Sequence, residues 1–142
     1  MPIHFHALHQ FSTELLSEAD VQWLEKVAQD DGYRIGELNY IFCSDEQLLK
    51  INQDFLKHDT YTDIITFDYV VAQTLSGDIY ISTERVQENA RTLEQDFGHE
   101  LRRVMVHGLL HLLGMGDKNE EEKTSMRRAE DRCLDLRFGK TA

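Results

Sequence analysis

The spacing of apolar residues changes several times along this chain, and each change predicts a new element. Ile3 to Leu8 (IHFHAL) alternates apolar and polar residues as a half-buried strand does, with His4 and His6 together on the outer face. From Ser17, SEADVQWLEKVAQDDG carries a capping serine, an acid three residues on, Val21, Leu24, Val27 and Ala28 at helical spacing, and a closing Gly32. That predicts a helix with Trp23 at the edge of its apolar face. Leu38, Tyr40 and Phe42 alternate through Gly36 to Ser44, a strand, and Ser44 with Gln47 then forms a capping box for a second helix reaching Leu56. Thr62 to Val71 (TDIITFDYVV) is rich in β-branched and aromatic residues, and Gly77 to Ser82 (GDIYIS) is short, apolar and opened by a turn glycine, so both read as strands. Val86, Ala90, Leu93 and Phe97 keep one stripe over Thr83 to Phe97. After Gly98 a further helix carries Leu101, Val104, Met105 and a pair of histidines, and a last helix spans Glu120 to Leu136. The order β, α, β, α, β, β, α, α, α predicts an α+β, or mixed α/β, fold: one sheet of about four strands with helices packed on it.

The length of 142 residues, 41% of them hydrophobic, supplies one core, and no linker, repeat or low-complexity stretch divides it, so residues 1–142 read as a single domain. The first residues have no basic region, long apolar run or cleavage site, and no stretch approaches the roughly 20 apolar residues of a membrane span. A cytoplasmic protein is expected. Cys43 and Cys133 have neither disulfide-framework nor zinc-ribbon spacing and read as small buried apolar residues. The formal charge of -11 argues against indiscriminate nucleic-acid binding, but acids concentrate in Asn119 to Glu122 (NEEE) while Arg102 and Arg103 sit about one turn before the histidine pair. Local sign at a cleft can oppose global sign.

The chemistry concentrates in HGLLHLLGMGD, His107 to Asp117. Residues i and i+4 of a helix lie one above the other, so His107 and His111 can aim their rings at one ion. Gly114 and Gly116 let the chain leave the helix and turn back, carrying Asp117 round as a third ligand and leaving a coordination position open for water, as in catalytic zinc sites. Two core histidines bonded to backbone carbonyls, with Asp117 capping the next helix, is the plainer alternative. Gly108 occupies the position where a zinc protease of the HExxH type places its general-base glutamate, which argues against peptide hydrolysis by that route.

The same segment resembles the signature HGxLHLxGYDH of the YbeY endoribonucleases, matched at His107, Gly108, Leu110, His111, Leu112 and Gly114. The resemblance continues upstream: Ile51 to Tyr69 (INQDFLKHDTYTDIITFDY) is similar to the family's LNxxYRxxDxPTDVLSF, and SGDIYIS to its LGDIxIS strand. It implies a metal-dependent, single-strand-specific endoribonuclease of ribosomal RNA maturation and ribosome quality control, with one divalent metal, zinc. The partners it implies are single-stranded ribosomal RNA and the ribosomal small subunit. The third family histidine aligns with Asp117, giving a two-histidine, one-carboxylate set that shifts preference toward harder ions such as manganese or iron. The family arginine of the NxxYR segment aligns with Leu56, and Met115, Gly116 and Tyr61 also depart from the pattern.

Cleavage by such a site pairs an ion that polarises a phosphoryl oxygen or activates water with a cation that neutralises charge growing on phosphorus. Lys57 is the candidate cation, with Arg102 and Arg103 behind it. Asp78 is a candidate to orient a ligand histidine, or else shapes the turn before its strand. Thr62 and Asp63 read as strand-start caps or cleft residues, His58 and His99 as surface residues, and Met115 as packing beneath the site. Two other functions fit parts of the pattern: a non-catalytic, metal-binding ribosome assembly factor, and a non-haem iron oxygenase, whose ligands usually come from a barrel rather than a helix.

Overall fold

The computed structural model describes residues 2–56 and 62–139. Among the described residues, four strands and five α-helices follow the order expected from the pattern: β1 (Ile3–Ala7), α1 (Glu18–Asp30), β2 (Arg34–Cys43), α2 (Asp45–Leu56), β3 (Ile64–Asp68), β4 (Thr74–Ser82), α3 (Thr83–Thr92), α4 (Phe97–Leu112) and α5 (Glu120–Phe138). Both capping boxes form. Ser17 N–H donates to Asp20 Oδ2 at 3.0 Å, and at α2 Ser44 N–H donates to Gln47 Oε1 while Gln47 N–H donates to Ser44 Oγ. The boundaries move where pairing overrides local composition. β4 begins at Thr74 rather than Gly77 because Thr74 and Leu75 pair with Arg34 and Ile35 of β2. α3 stops at Thr92, capped through the Leu93 N–H, and α4 starts at Phe97, ahead of Gly98, because the Asp96 carboxylate accepts from His99 N–H.

The sheet order is β1-β2-β4-β3, with β1, β2 and β4 parallel and β3 antiparallel at one edge. Its two faces are covered unequally. Leu38, Tyr40, Phe42, Ile79 and Ile81 join Leu24 of α1, Val86 of α3, Leu101 and Met105 of α4 and Met126 of α5 in the main core. Tyr40 Oη donates to Met105 O at 2.9 Å and Trp23 Nε1 to Cys133 O at 2.7 Å, so even the polar atoms of the large aromatics are satisfied inside it. The opposite face carries α2, packed through Leu48 on Cys43 and Ile65. Both cysteines are free and buried, and burial pushes their thiols up, Cys43 to about 12 and Cys133 to about 11. No helix among the described residues is long and apolar enough to cross a membrane.

One contact sets the position of the histidine helix. A Cβ on Gly108 would lie 2.9 Å from Ile64 Cδ1 and 3.0 Å from Ile79 Cγ2, so glycine lets α4 sit close on β3 and β4 without pushing these side chains aside. Gly108 lies between His107 and His111, and its seat on the sheet fixes the height and rotation of the turn that carries them.

Candidate metal centre

The buried side of α4, with Leu101, Val104, Met105, Leu109 and Leu112, faces the core and leaves His107 and His111 on its flank, both half-buried. Beyond the Leu113 cap, Gly114 adopts φ +102°, a conformation L side chains rarely take, while Gly114 N–H donates to His111 O and Met115 N–H to Leu110 O. The chain doubles back, and α5 starts after the cap residue Asn119, whose side chain accepts from Glu122 N–H at 2.8 Å. Asn119 is therefore the cap, which leaves the Asp117 carboxylate free to turn toward the histidines.

The outcome is three ligand atoms around one point. His107 Nε2 and His111 Nε2 are 2.9 Å apart, and Asp117 Oδ2 lies 3.3 Å from each. Ligands at ~2.0–2.1 Å from a tetrahedral ion are separated by ~3.3–3.4 Å; the Asp117 distances have that spacing and the two ring nitrogens sit closer together. The opposite ring nitrogens are both held. His111 Nδ1 donates to the carbonyl of Met115 at 2.9 Å, and His107 Nδ1 to Glu130 Oε2 at 2.6 Å. A carbonyl only accepts, and Glu130 is held ionised: burial pushes its carboxyl up, but the hydrogen bonds and charges of His107 and Arg103 outweigh this and lower it. Both Nδ1 atoms therefore carry protons, and in the neutral rings both Nε2 atoms present lone pairs. Two lone pairs and a carboxylate oxygen converging without a donor between them is a cation-binding geometry. Burial also works against a charged His107 ring, yet Glu130, Asp117 and Asp63 together raise its pKa, so the point attracts positive charge.

Glu130 was not legible as a site residue, although a signal existed. It falls among Met126, Ala129, Cys133 and Leu134 on the apolar stripe of α5, a place where a glutamate needs a reason, and it is 6% exposed. Arg103 supplies part of that reason: its Nη1 donates to Glu130 Oε1 at 2.8 Å and its Nη2 to Asp131 Oδ1 at 2.7 Å. Arg102 lies away from the centre, paired with Asp20. Asp78 points to the opposite face of the sheet from Ile79, where its Oδ1 accepts from Asn39 Nδ2 at 3.0 Å, and it touches neither histidine. Lys57, His58 and Tyr61 lie outside the described residues. Thr62 Oγ1 donates to Ile64 O, a local cap, whereas half-buried Asp63 lines the same cleft as His107, its carboxyl raised by burial against the lowering charge of His107. His99 is half-buried rather than on the surface, stacked on Phe138 at 5.2 Å, and burial lowers its pKa. Met115 packs against the core as expected, and its carbonyl additionally holds His111.

The cleft beside the three atoms measures ≈ 270 Å³ and is lined by Asp63, Glu100, Arg103, His107, Asp117, Arg127 and Glu130 among others. A sequence model of the family described as endoribonuclease YbeY matches residues 5–137. The endoribonuclease YbeY of Christiangramia forsetii is 53% identical over 114 residues, 80% of either chain, and that of Cytophaga hutchinsonii is 52% identical over 126 residues, covering 87% of this chain and 88% of its own. A solution structure of a Thermotoga maritima protein superposes with a TM-score of 0.71 at 29% identity, covering 96% of this chain and 89% of that one. The sequence model spans nearly all of the two-faced sheet and the histidine helix seated on it by Gly108, and on that extent this chain belongs to the endoribonuclease YbeY family.

Proposed function

We propose that this protein is a metal-dependent, single-strand-specific endoribonuclease that acts on ribosomal RNA at the small subunit in the cytoplasm, with one zinc ion held by His107, His111 and Asp117. The observation that carries the reading is the convergence of two imidazole Nε2 atoms and one carboxylate oxygen at the edge of an open cleft. Three protein ligands leave a coordination position for water or substrate, which favours a catalytic role over an ion that only holds the fold.

The bound ion would supply Lewis acidity to a phosphodiester and acidify attacking water. The chain's own residues prepare that chemistry. Glu130 keeps the His107 proton on Nδ1 and turns Nε2 toward the centre, Arg103 holds Glu130 in place from its other oxygen, and the Met115 carbonyl performs the same service for His111. With an ion bound, the carboxylate of Asp117 would lower the net charge of the centre by one relative to a third imidazole, and water there would be less acidified than among three neutral rings.

Elemental analysis of wild type and His111→Ala, followed by incubation of each with single-stranded and duplex RNA, tests this directly. About one metal per chain, lost in the variant together with cutting of the single strand, is expected. Cleavage that persists after the metal is gone would sink the mechanism, and metal without any cleavage would favour an assembly-factor role. Asp117→His should tighten zinc binding; unchanged affinity would remove Asp117 from the ligand set.

A further inference from the structure

The cleft that an RNA strand would enter is lined by four carboxyls, Asp63, Glu100, Asp117 and Glu130, against two arginines, Arg103 and Arg127. The protein as a whole carries -11, so a polyanion needs a local cation to settle here. Arg103 cannot serve, because its guanidinium is 12% exposed and spent on Glu130 and Asp131. Arg127 differs. It stands on α5 three and four residues before Glu130 and Asp131, the positions from which a helix normally offers a partner. Those partners are already engaged: Glu130 Oε1 accepts from Arg103 and Oε2 from His107, and Asp131 Oδ1 accepts from Arg103. Arg127 is left exposed, and among the described residues its guanidinium makes no ion pair or hydrogen bond. Its charge still reaches into the cleft, where it acts on Glu100, a 5% exposed carboxyl whose Oε1 has no partner.

We propose that Arg127 is the phosphate-binding side chain for the RNA strand, clamping a backbone phosphate beside the linkage that lies over His107 and Asp117. The inference rests on the nuclease reading above. Arginine suits the task because its planar fork pairs two donors with two phosphate oxygens. It also fits Leu56, which carries no charge at the position where the family signature has arginine: α5 supplies a cation to the cleft. Glu130 and Arg127 then divide one helix face, one side chain orienting a ligand ring and the other receiving substrate.

The test measures binding of a short, cleavage-resistant phosphorothioate RNA strand to metal-loaded wild type, Arg127→Ala, Arg127→Lys and Arg128→Ala over a range of salt concentrations, with metal content recorded for each. Arg128 is exposed, carries the same charge and does not line the cleft, so it controls for general electrostatics. Arg127→Ala should bind roughly tenfold more weakly and lose about 0.7 from the slope of log affinity against log salt, the share of one phosphate contact to a single strand. Lysine should restore part of the loss, and Arg128→Ala should stay near wild type. With cleavable RNA, Arg127→Ala should raise KM far more than it lowers kcat, at unchanged metal content. Arg127→Ala and Arg128→Ala behaving alike would overturn the inference while leaving the nuclease reading standing. A wild type that neither binds nor cuts the strand would overturn both.

Discussion

Arg102 and Arg103 are neighbours on α4, the first tying that helix to α1 and the second to α5, and the two networks are built to opposite ends. Arg102 closes a circuit. Asp20 Oδ1 accepts from Arg102 Nε and Arg137 Nε, both at 2.9 Å, and Oδ2 from Arg102 Nη2 at 3.1 Å and Ser17 N–H at 3.0 Å. Two further N–H groups of Arg102 reach Gly98 O and Leu15 O. Each oxygen of Asp20 is satisfied in the interior. Arg103 instead opens a chain that runs through Glu130 to His107 Nδ1 and ends at Nε2, where a lone pair faces another lone pair and a carboxylate. A network that satisfies itself stabilises the fold; one that stops short of satisfaction holds a place for a ligand.

Asp20→Ala should break the closed circuit with the largest effect. Asp20 is fully buried, and removing it strands two guanidiniums that α1, α4 and α5 share, a change that costs about 3–5 kcal/mol when one partner of a buried ion pair is lost. Denaturant unfolding measures it, and metal content of the molecules still folded should not change. A loss below about 1 kcal/mol would place Asp20 among ordinary surface pairs.

Glu130→Gln tests the open chain and should do the reverse. The amide keeps the shape but loses the charge that orients the His107 ring, and outer partners of this kind change metal affinity by about 10–100-fold, or ~1.4–2.7 kcal/mol. Zinc titration against a competing chelator reads the loss. Wild-type affinity in this variant would mean that the His107 ring is oriented without Glu130.

The contrast between the networks also separates what sequence could show from what it could not. The order of strands and helices, both capping boxes and the shared helix flank of His107 and His111 were legible because each rests on spacing within a few residues. Arg103 and Glu130 are 27 residues apart and Arg102 and Asp20 are 82 apart, and nothing local says which arginine turns to which acid. That choice follows from the rotation of α4 on the sheet, which Gly108 sets through its contact with Ile64 and Ile79. Asp78 illustrates the same limit on a strand. Alternation placed it opposite Ile79, but only the packed sheet shows that the histidine helix lies on the Ile79 side.

The smallest effect sharpens the comparison through pH. Burial alone would raise the Asp20 carboxyl, but the hydrogen bonds from Arg102, Arg137 and the Ser17 N–H outweigh it and hold its pKa below the usual aspartate value. A group depressed in the folded state contributes stability that is fully present above its unfolded pKa of about 3.9 and is lost as pH falls through the folded pKa. Wild type should therefore lose stability on the acid side, and Asp20→Asn, which cannot titrate, should start lower at neutral pH and lose less as acid is added. Protonating Asp20 leaves a carboxyl that still accepts one of its hydrogen bonds, so the acid loss should be smaller than that of Asp20→Ala. Measuring unfolding free energies of both proteins at neutral pH and at about pH 3 decides the matter, since parallel losses would show that other carboxylates, and not the closed circuit around Asp20, set the acid limit of the fold.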